Sequence, residues 1–180
     1  MKKGTRIAID ILLIAVLVVI DQLTKRAAEA SLMNGPAYDI IPEVLQLYYL
    51  PGGNTGAAWG LLSGHQLLFI IVTVVIVAAI IYILIRMPSD KKFTVLRVLL
   101  VFIAAGGIGN MIDRVYLGSV RDFIYIKIIN FPIFNVADMY VSCSVVIMLF
   151  VVLLKYRDED LKELEDSIRF KKQKSVVSDK

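Results

Sequence analysis

Three aspartates in this sequence stand at the edges of long apolar runs: Asp21, Asp113 and Asp138. Polar residues gather around them. Lys25 lies one turn beyond Asp21, Asn110 one turn before Asp113, Arg114 directly after it, and Asn135 just before Asp138; Asn54 sits in a loop between two of the runs. A carboxylate at the edge of an apolar span is costly, so each marks a candidate functional position. Two carboxylates facing each other cannot both ionise cheaply. One keeps its proton, and the pair then presents an acid and a base at a single pH. Such a pair can direct water onto an amide: the ionised group takes a proton from water, and the protonated group donates to the carbonyl oxygen and later to the leaving amine. The protons belong to the pair rather than to either member. Asp113 and Asp138 are the expected pair, with Asp21 at a similar depth. This chemistry requires no metal, cofactor or nucleophilic serine, and the single histidine, His65, cannot build a metal site alone.

Plainer roles exist for each of these residues. Asp138 opens an apolar run and could be only an N-cap; Asp113 could be only the salt-bridge partner of Arg114. Three acids, two asparagines and an arginine on one face argue against both. Asp10 lies at the far end of its run. Asp122 follows Arg121 in a loop and is expected to be solvated or structural. Cys143, the only cysteine, is expected to pack as a small apolar residue, and His65 to be interfacial. Glycines late in the third run read as a helix-packing surface.

The elements that must position these groups follow from composition. The chain has 180 residues, 58% of them hydrophobic, and a mean hydropathy of +0.73. That excess over an ordinary soluble domain points to a bilayer. A hydrocarbon core of about 30 Å needs roughly 20 apolar helical residues. Four stretches qualify, at about 7–25, 66–85, 94–112 and 136–154, and in lipid each must be a helix to satisfy its own backbone. The first run is too long, and too closely followed by Asp21, Lys25 and Arg26, for a cleaved secretory signal. Fifteen of the lysines and arginines flank one side of the spans and five the other, so both termini are expected in the cytoplasm. The outer face then carries the loops at about 27–65 and 113–135. Glu43–Leu50 and Ser119–Ile129 have strand character; the glycine-rich segment after Leu50 leads to an expected short interfacial helix near 57–62, with Trp59 at headgroup level. The fold class expected is an all-α integral membrane protein with four transmembrane helices and a small outer β-sheet. Residues 1–154 form the membrane domain and 155–180 a charged tail, helical or disordered, near anionic headgroups. There is no zinc spacing and no basic groove of a nucleic-acid reader.

Five short segments in order resemble the boxes of the lipoprotein signal peptidases, the signal peptidase II family: Asp21–Lys25, Asn54–Gly60, Gly109–Arg114, Val120–Ile124 and Phe134–Asp138. Trp59 stands where Phe is commoner. The resemblance implies an aspartic endopeptidase of the bacterial cytoplasmic membrane, with its active site at the outer face. Its substrate would be a prolipoprotein cut just before a diacylglyceryl-modified cysteine. Asp113 and Asp138 would be catalytic, and Asp21, Lys25, Asn54, Asn110, Arg114, Asn135 and Ala137 would support them. The resemblance also implies inhibition by globomycin-like cyclic peptides; membrane lipids are the expected surroundings and a monomer the expected state. Two rival readings make different demands. A proton-coupled carrier needs acids spread across the bilayer, whereas these cluster at one face; a structural subunit would tolerate Asn at both Asp113 and Asp138.

Overall fold

The computed structural model describes residues 3–56 and 65–169. The chain runs through helix α1 (Lys3–Leu32), strands β1 (Tyr38–Ile41) and β2 (Leu45–Leu47), helices α2 (Gln66–Arg86) and α3 (Thr94–Leu117), strand β3 (Ile124–Ile126), and helices α4 (Val136–Lys155) and α5 (Asp158–Ile168). The first four helices are long and apolar enough to cross a membrane. Their exteriors are apolar: Leu67 is 70% exposed, Val75 62% and Leu154 83%. Charge is turned inward, with Asp10, Asp21, Lys25, Arg97 and Asp113 all buried. This inversion fits a lipid surround, where the apolar exterior meets acyl chains and polar groups find partners inside.

Helix α3 is the central element and packs against α1, α2 and α4. Its small residues permit this. Ala104 and Ala105 are fully buried, and a Cβ at Gly106 would lie 2.5 Å from the carbonyl oxygen of Ala137. A Cβ at Gly109 would overlap the carboxylate of Asp21. The glycine stripe is therefore a packing surface that brings α1 and the start of α4 onto α3. Below it, α1 is tied to α3 by a buried pair between Asp10 and the Arg97 guanidinium, whose Nε donates to Asp10 Oδ1 at 3.0 Å.

Two helices run further than their apolar spans. The Ala-rich stretch after Arg26 favours helix, so α1 continues to Leu32 and carries Glu29 above the span. Helix α3 continues past Asp113 to a left-handed C-cap at Gly118 (φ 70°), a conformation glycine adopts without strain. The sheet sits at this end. Its order is β1-β2-β3, antiparallel throughout, with Gln46 opposite Tyr125. β2 and β3 fall within the two stretches read as strands; β1 was not anticipated. The ribbon extends beyond the regular strands: Tyr48 N–H donates to Phe123 O (2.9 Å), Leu50 N–H to Asp122 O (3.0 Å), and Asn54 N–H to Val120 O (2.8 Å). The expected helix at 57–62 and Trp59 lie outside the described residues.

At the opposite end α5 folds back under the bundle. Lys92 Nζ pairs with Asp160 (2.5 Å) and Glu163 (2.8 Å). Tyr82 Oη donates to the Ile168 carbonyl (2.6 Å) and Arg86 Nε to that of Ser167 (3.0 Å). Phe93 and Tyr156 stack there at 5.6 Å, within a core of Leu84, Leu96, Leu100 and Val101.

Candidate active site

The residues singled out in the sequence converge beneath the sheet, but they divide into two adjoining clusters. The first is wholly buried. Asp21 and Lys25, one turn apart on α1, pair at 2.9 Å. Asp113 projects from α3 beside them and is saturated with donors. Its Oδ2 accepts from the Arg121 backbone N–H (3.0 Å) and Nε (3.1 Å). Its Oδ1 accepts from Arg121 Nη2 (2.7 Å) and Gln22 Nε2 (3.1 Å). Lys25 Nζ is 3.7 Å away. Asp113, Asp21 and Lys25 are each 0% exposed. Asp21 also accepts from the Ala137 backbone N–H (3.1 Å), satisfying one of the orphan donors at the start of α4.

The second cluster faces a cavity of about 570 Å³ whose lining includes Asn54, Asn110, Arg114, Asp122 and Asp138. Asp138 reaches it from the first turn of α4. Asn135 caps that helix, its Oδ1 accepting from Asp138 N–H (3.1 Å) while its own N–H donates to Asp138 Oδ2 (3.0 Å), a reciprocal capping box. The same Asn135 extends Nδ2 to Asp122 Oδ1 (2.6 Å). One asparagine thus holds both carboxylates. Asp122 Oδ2 accepts from Asn54 Nδ2 (2.9 Å), and Asp138 Oδ1 from Asn110 Nδ2 (2.8 Å).

The orientation of all three amides follows from their other partners. Asn54 Oδ1 is taken by Gly56 N–H (2.9 Å), so its amino group must face Asp122. Asn110 Oδ1 accepts from Lys25 Nζ (2.8 Å) and Asn135 Nδ2 (3.1 Å). Lysine can only donate, so Asn110 turns its amino group to Asp138. Asn135 Oδ1 is committed to its helix. The buried lysine of the first cluster therefore fixes the direction of the Asn110 hydrogen bond to Asp138 in the second.

Asp122 is 2% exposed. Burial, and next the Asp138 carboxylate, push its carboxyl up to about 6; the Asn54 and Asn135 amides and the Lys25 ammonium oppose the rise. Arg114 also lines the cavity. Its guanidinium lies over the Phe69 ring at 4.8 Å, and its buried Nε has no hydrogen-bond partner. Among the described residues no group of histidines, cysteines and acids could hold a metal.

This geometry revises two expectations. Asp113 does not face Asp138 in the cavity; it is enclosed, with every acceptor position engaged. Asp122, expected to be solvated or structural, is buried with its carboxylate on the cavity. In the extended segment 119–123 successive side chains point to opposite sides, so Arg121 turns to Asp113 and Asp122 to the cavity. One signal was present in the sequence: the box Val120–Ile124 had contributed no site residue to the expected constellation. Cys143 also differs from expectation, being exposed on the cavity lining.

Residues 13–154 match the family model Peptidase_A8, described as signal peptidase (SPase) II. The chain belongs to the signal peptidase II family. Its relatives include the lipoprotein signal peptidase of Latilactobacillus sakei, 40% identical over 75% of this chain and 87% of that one. That of Staphylococcus haemolyticus is 36% identical over 91% of this chain and its own full length. A bacterial membrane enzyme structure obtained by the in meso method superposes with a TM-score of 0.70 at 34% identity, covering 83% of this chain and 95% of that one. This signal peptidase II is therefore a membrane-embedded peptidase, and α5 lies beyond the segment that the family model matches.

Proposed function

We propose that this peptidase removes signal peptides from prolipoproteins by an aspartic mechanism, cutting just before a diacylglyceryl-modified cysteine, with Asp122 and Asp138 as the water-activating pair. The observation that carries the assignment is their convergence on one cavity, bridged by Asn135, while Asp113 is sealed from it. Water held between the two carboxylates loses a proton to the ionised member as the protonated member donates its own to the scissile carbonyl oxygen; the carboxyl that took the water's proton then passes it to the departing amine, and its partner recovers a proton from the collapsing gem-diol. A carboxyl near 6 can hold or release a proton around neutrality. Neither aspartate is assigned permanently as base, because the pair titrates together.

The lining supports the substrate class. Phe69, Met139 and Cys143 continue the cavity along α2 and α4, where the bilayer would hold the acyl chains. The excess of basic residues at the α5 end supports cytoplasmic termini and an outward-facing site in a bacterial cytoplasmic membrane. The same reading includes inhibition by globomycin-like cyclic peptides at this cavity and a monomeric enzyme.

The test is a gel-shift assay with purified protein and a lipidated prolipoprotein. The parent protein cleaves it and leaves the unlipidated precursor uncut, whereas Asp122→Asn and Asp138→Asn are each inactive, with losses of at least about 1,000-fold. Full turnover by either variant removes the mechanism. Equal cleavage of the unlipidated precursor removes the substrate assignment.

A further inference from the structure

We propose that Asp113 is a positioning residue: by clamping Arg121 on the far side of the extended segment, it fixes the direction in which Asp122 enters the cavity. This rests on the Asp122–Asp138 reading above. The clamp grips both backbone and side chain, since Asp113 accepts from the N–H, Nε and Nη2 of Arg121. The remaining guanidinium donors are carried to α1, with Nη1 donating to Glu29 Oε2 (3.1 Å) and Nη2 to Gln22 Oε1 (2.9 Å). Arg121 is thereby fastened to two helices at once.

An extended backbone converts this grip into aim. Neighbouring side chains leave on opposite sides, so holding Arg121 against α1 and α3 commits Asp122 to the opposite direction. The Asp122 carbonyl is meanwhile held by Leu50 N–H, which stops the segment rotating about its own axis. Stability alone is a poor reason for such a cluster. Asp21, Lys25, Asp113 and Arg121 are buried charges, and buried ion pairs often contribute no more than apolar residues of similar volume. A geometric role is a better one, because a displacement of about 1 Å at a reacting group can cost about 100-fold in rate.

The experiment compares Asp113→Asn, Arg121→Lys and the double variant with the parent in steady-state cleavage of a lipidated prolipoprotein across pH, with thermal melting alongside. Asp113→Asn and Arg121→Lys are each expected to lower kcat about 100-fold while KM changes less than about threefold. The double variant is expected to be no worse than the poorer single, since both break one clamp. The acid limb of the pH profile also moves to lower pH. Asp122 is faced by Asp138 from α4, Lys25 from α1, Arg114 from α3 and the Asn54 and Asn135 amides, and swinging out of its buried position away from Asp138 relieves first the burial and then the repulsion that raise it. A residue that merely supports the fold would shift the melting temperature and leave kcat and the pH limb of the folded enzyme unchanged; that result overturns the proposal. So does an Asp113→Asn protein as inactive as Asp138→Asn at every pH, which would place Asp113 in the chemistry itself. Asp122→Asn is the control for the parent reading: if it cleaves, the dyad assignment fails first. If Asp113→Asn does not fold, Arg121→Lys alone decides, since it keeps the charge and removes the two-pronged grip.

Discussion

Asp113 and Asp122 are the same residue type in the same layer of the molecule, and their donors separate their roles. Asp113 receives an arginine at three points, a glutamine and a nearby lysine. Asp122 receives only two neutral amides and faces another carboxylate. The first environment commits every acceptor of its carboxylate to a fixed donor; the second leaves a carboxyl near 6 that can cycle its proton. A stability consequence follows for Asp122. Its folded pKa is raised, so between about pH 4 and 6 the folded state binds more protons than the unfolded chain, and stability falls as pH rises through that window. The contribution is fully present below the unfolded value and is lost above about 6. Asp122→Asn should therefore flatten the fall in melting temperature between pH 4 and 6.5, measured in detergent micelles. Its absolute stability need not increase, because the new amide must meet two amino groups, from Asn54 and Asn135, with a single oxygen. An unchanged slope would show that Asp122 does not titrate there.

At the scale of elements, α3 decides the geometry, because α1 and α4 reach the site only by lying on its small-residue face. Neighbouring glycines on this helix are not equivalent. A Cβ at Gly106 meets the Ala137 carbonyl oxygen and, at 2.7 Å, a Val141 methyl, so α4 must move. A Cβ at Gly107 meets only methyl ends of Val77 and Thr73, at 3.3 and 3.4 Å, on the α2 side. Gly106→Ala is expected to destabilise by about 1–3 kcal/mol and to lower cleavage at least about tenfold, since Asn135 and Asp138 travel with the start of α4. Gly107→Ala should remain within about twofold of the parent, and equal effects in melting and turnover assays would refute this division of the helix. The glycine stripe was legible in the sequence as a packing surface, but its partner at each position was not. The same holds for Arg121 and Asp122: as adjacent residues of a loop, they give no sign in the sequence that they face opposite sides. Only the covering ribbon at 48–54 and the extension of α1 to Leu32 bury both faces of their segment and send them to different partners. For α5, the mixed charges of the tail left helix and disorder both open, because Lys92, Tyr82 and Arg86, which hold it, are far away in sequence.

The molecule as a whole is built for a solvent that changes along its length. The four spans were readable because bilayer thickness imposes a length and a composition that few other constraints imitate. The cavity was not, since it forms where α2 and α4, both packed on α3, leave a gap between them. Phe69 stands on one wall of that gap, Met139 and Cys143 on the other. A substrate anchored by acyl chains can enter sideways through it without leaving the bilayer, and Cys143, the only cysteine in the chain, reports on its path. A lipid-soluble maleimide is expected to label Cys143 readily in Asp138→Asn, a variant that under the proposed mechanism should bind substrate without consuming it. A saturating lipidated prolipoprotein should then slow the labelling at least about fivefold, and the unlipidated precursor should have little effect. Mass spectrometry of the intact protein reads the extent of labelling directly. Labelling that is indifferent to the lipidated substrate would mean that entry occurs elsewhere, and it would remove lateral access between α2 and α4 while leaving the chemistry at Asp122 and Asp138 untouched.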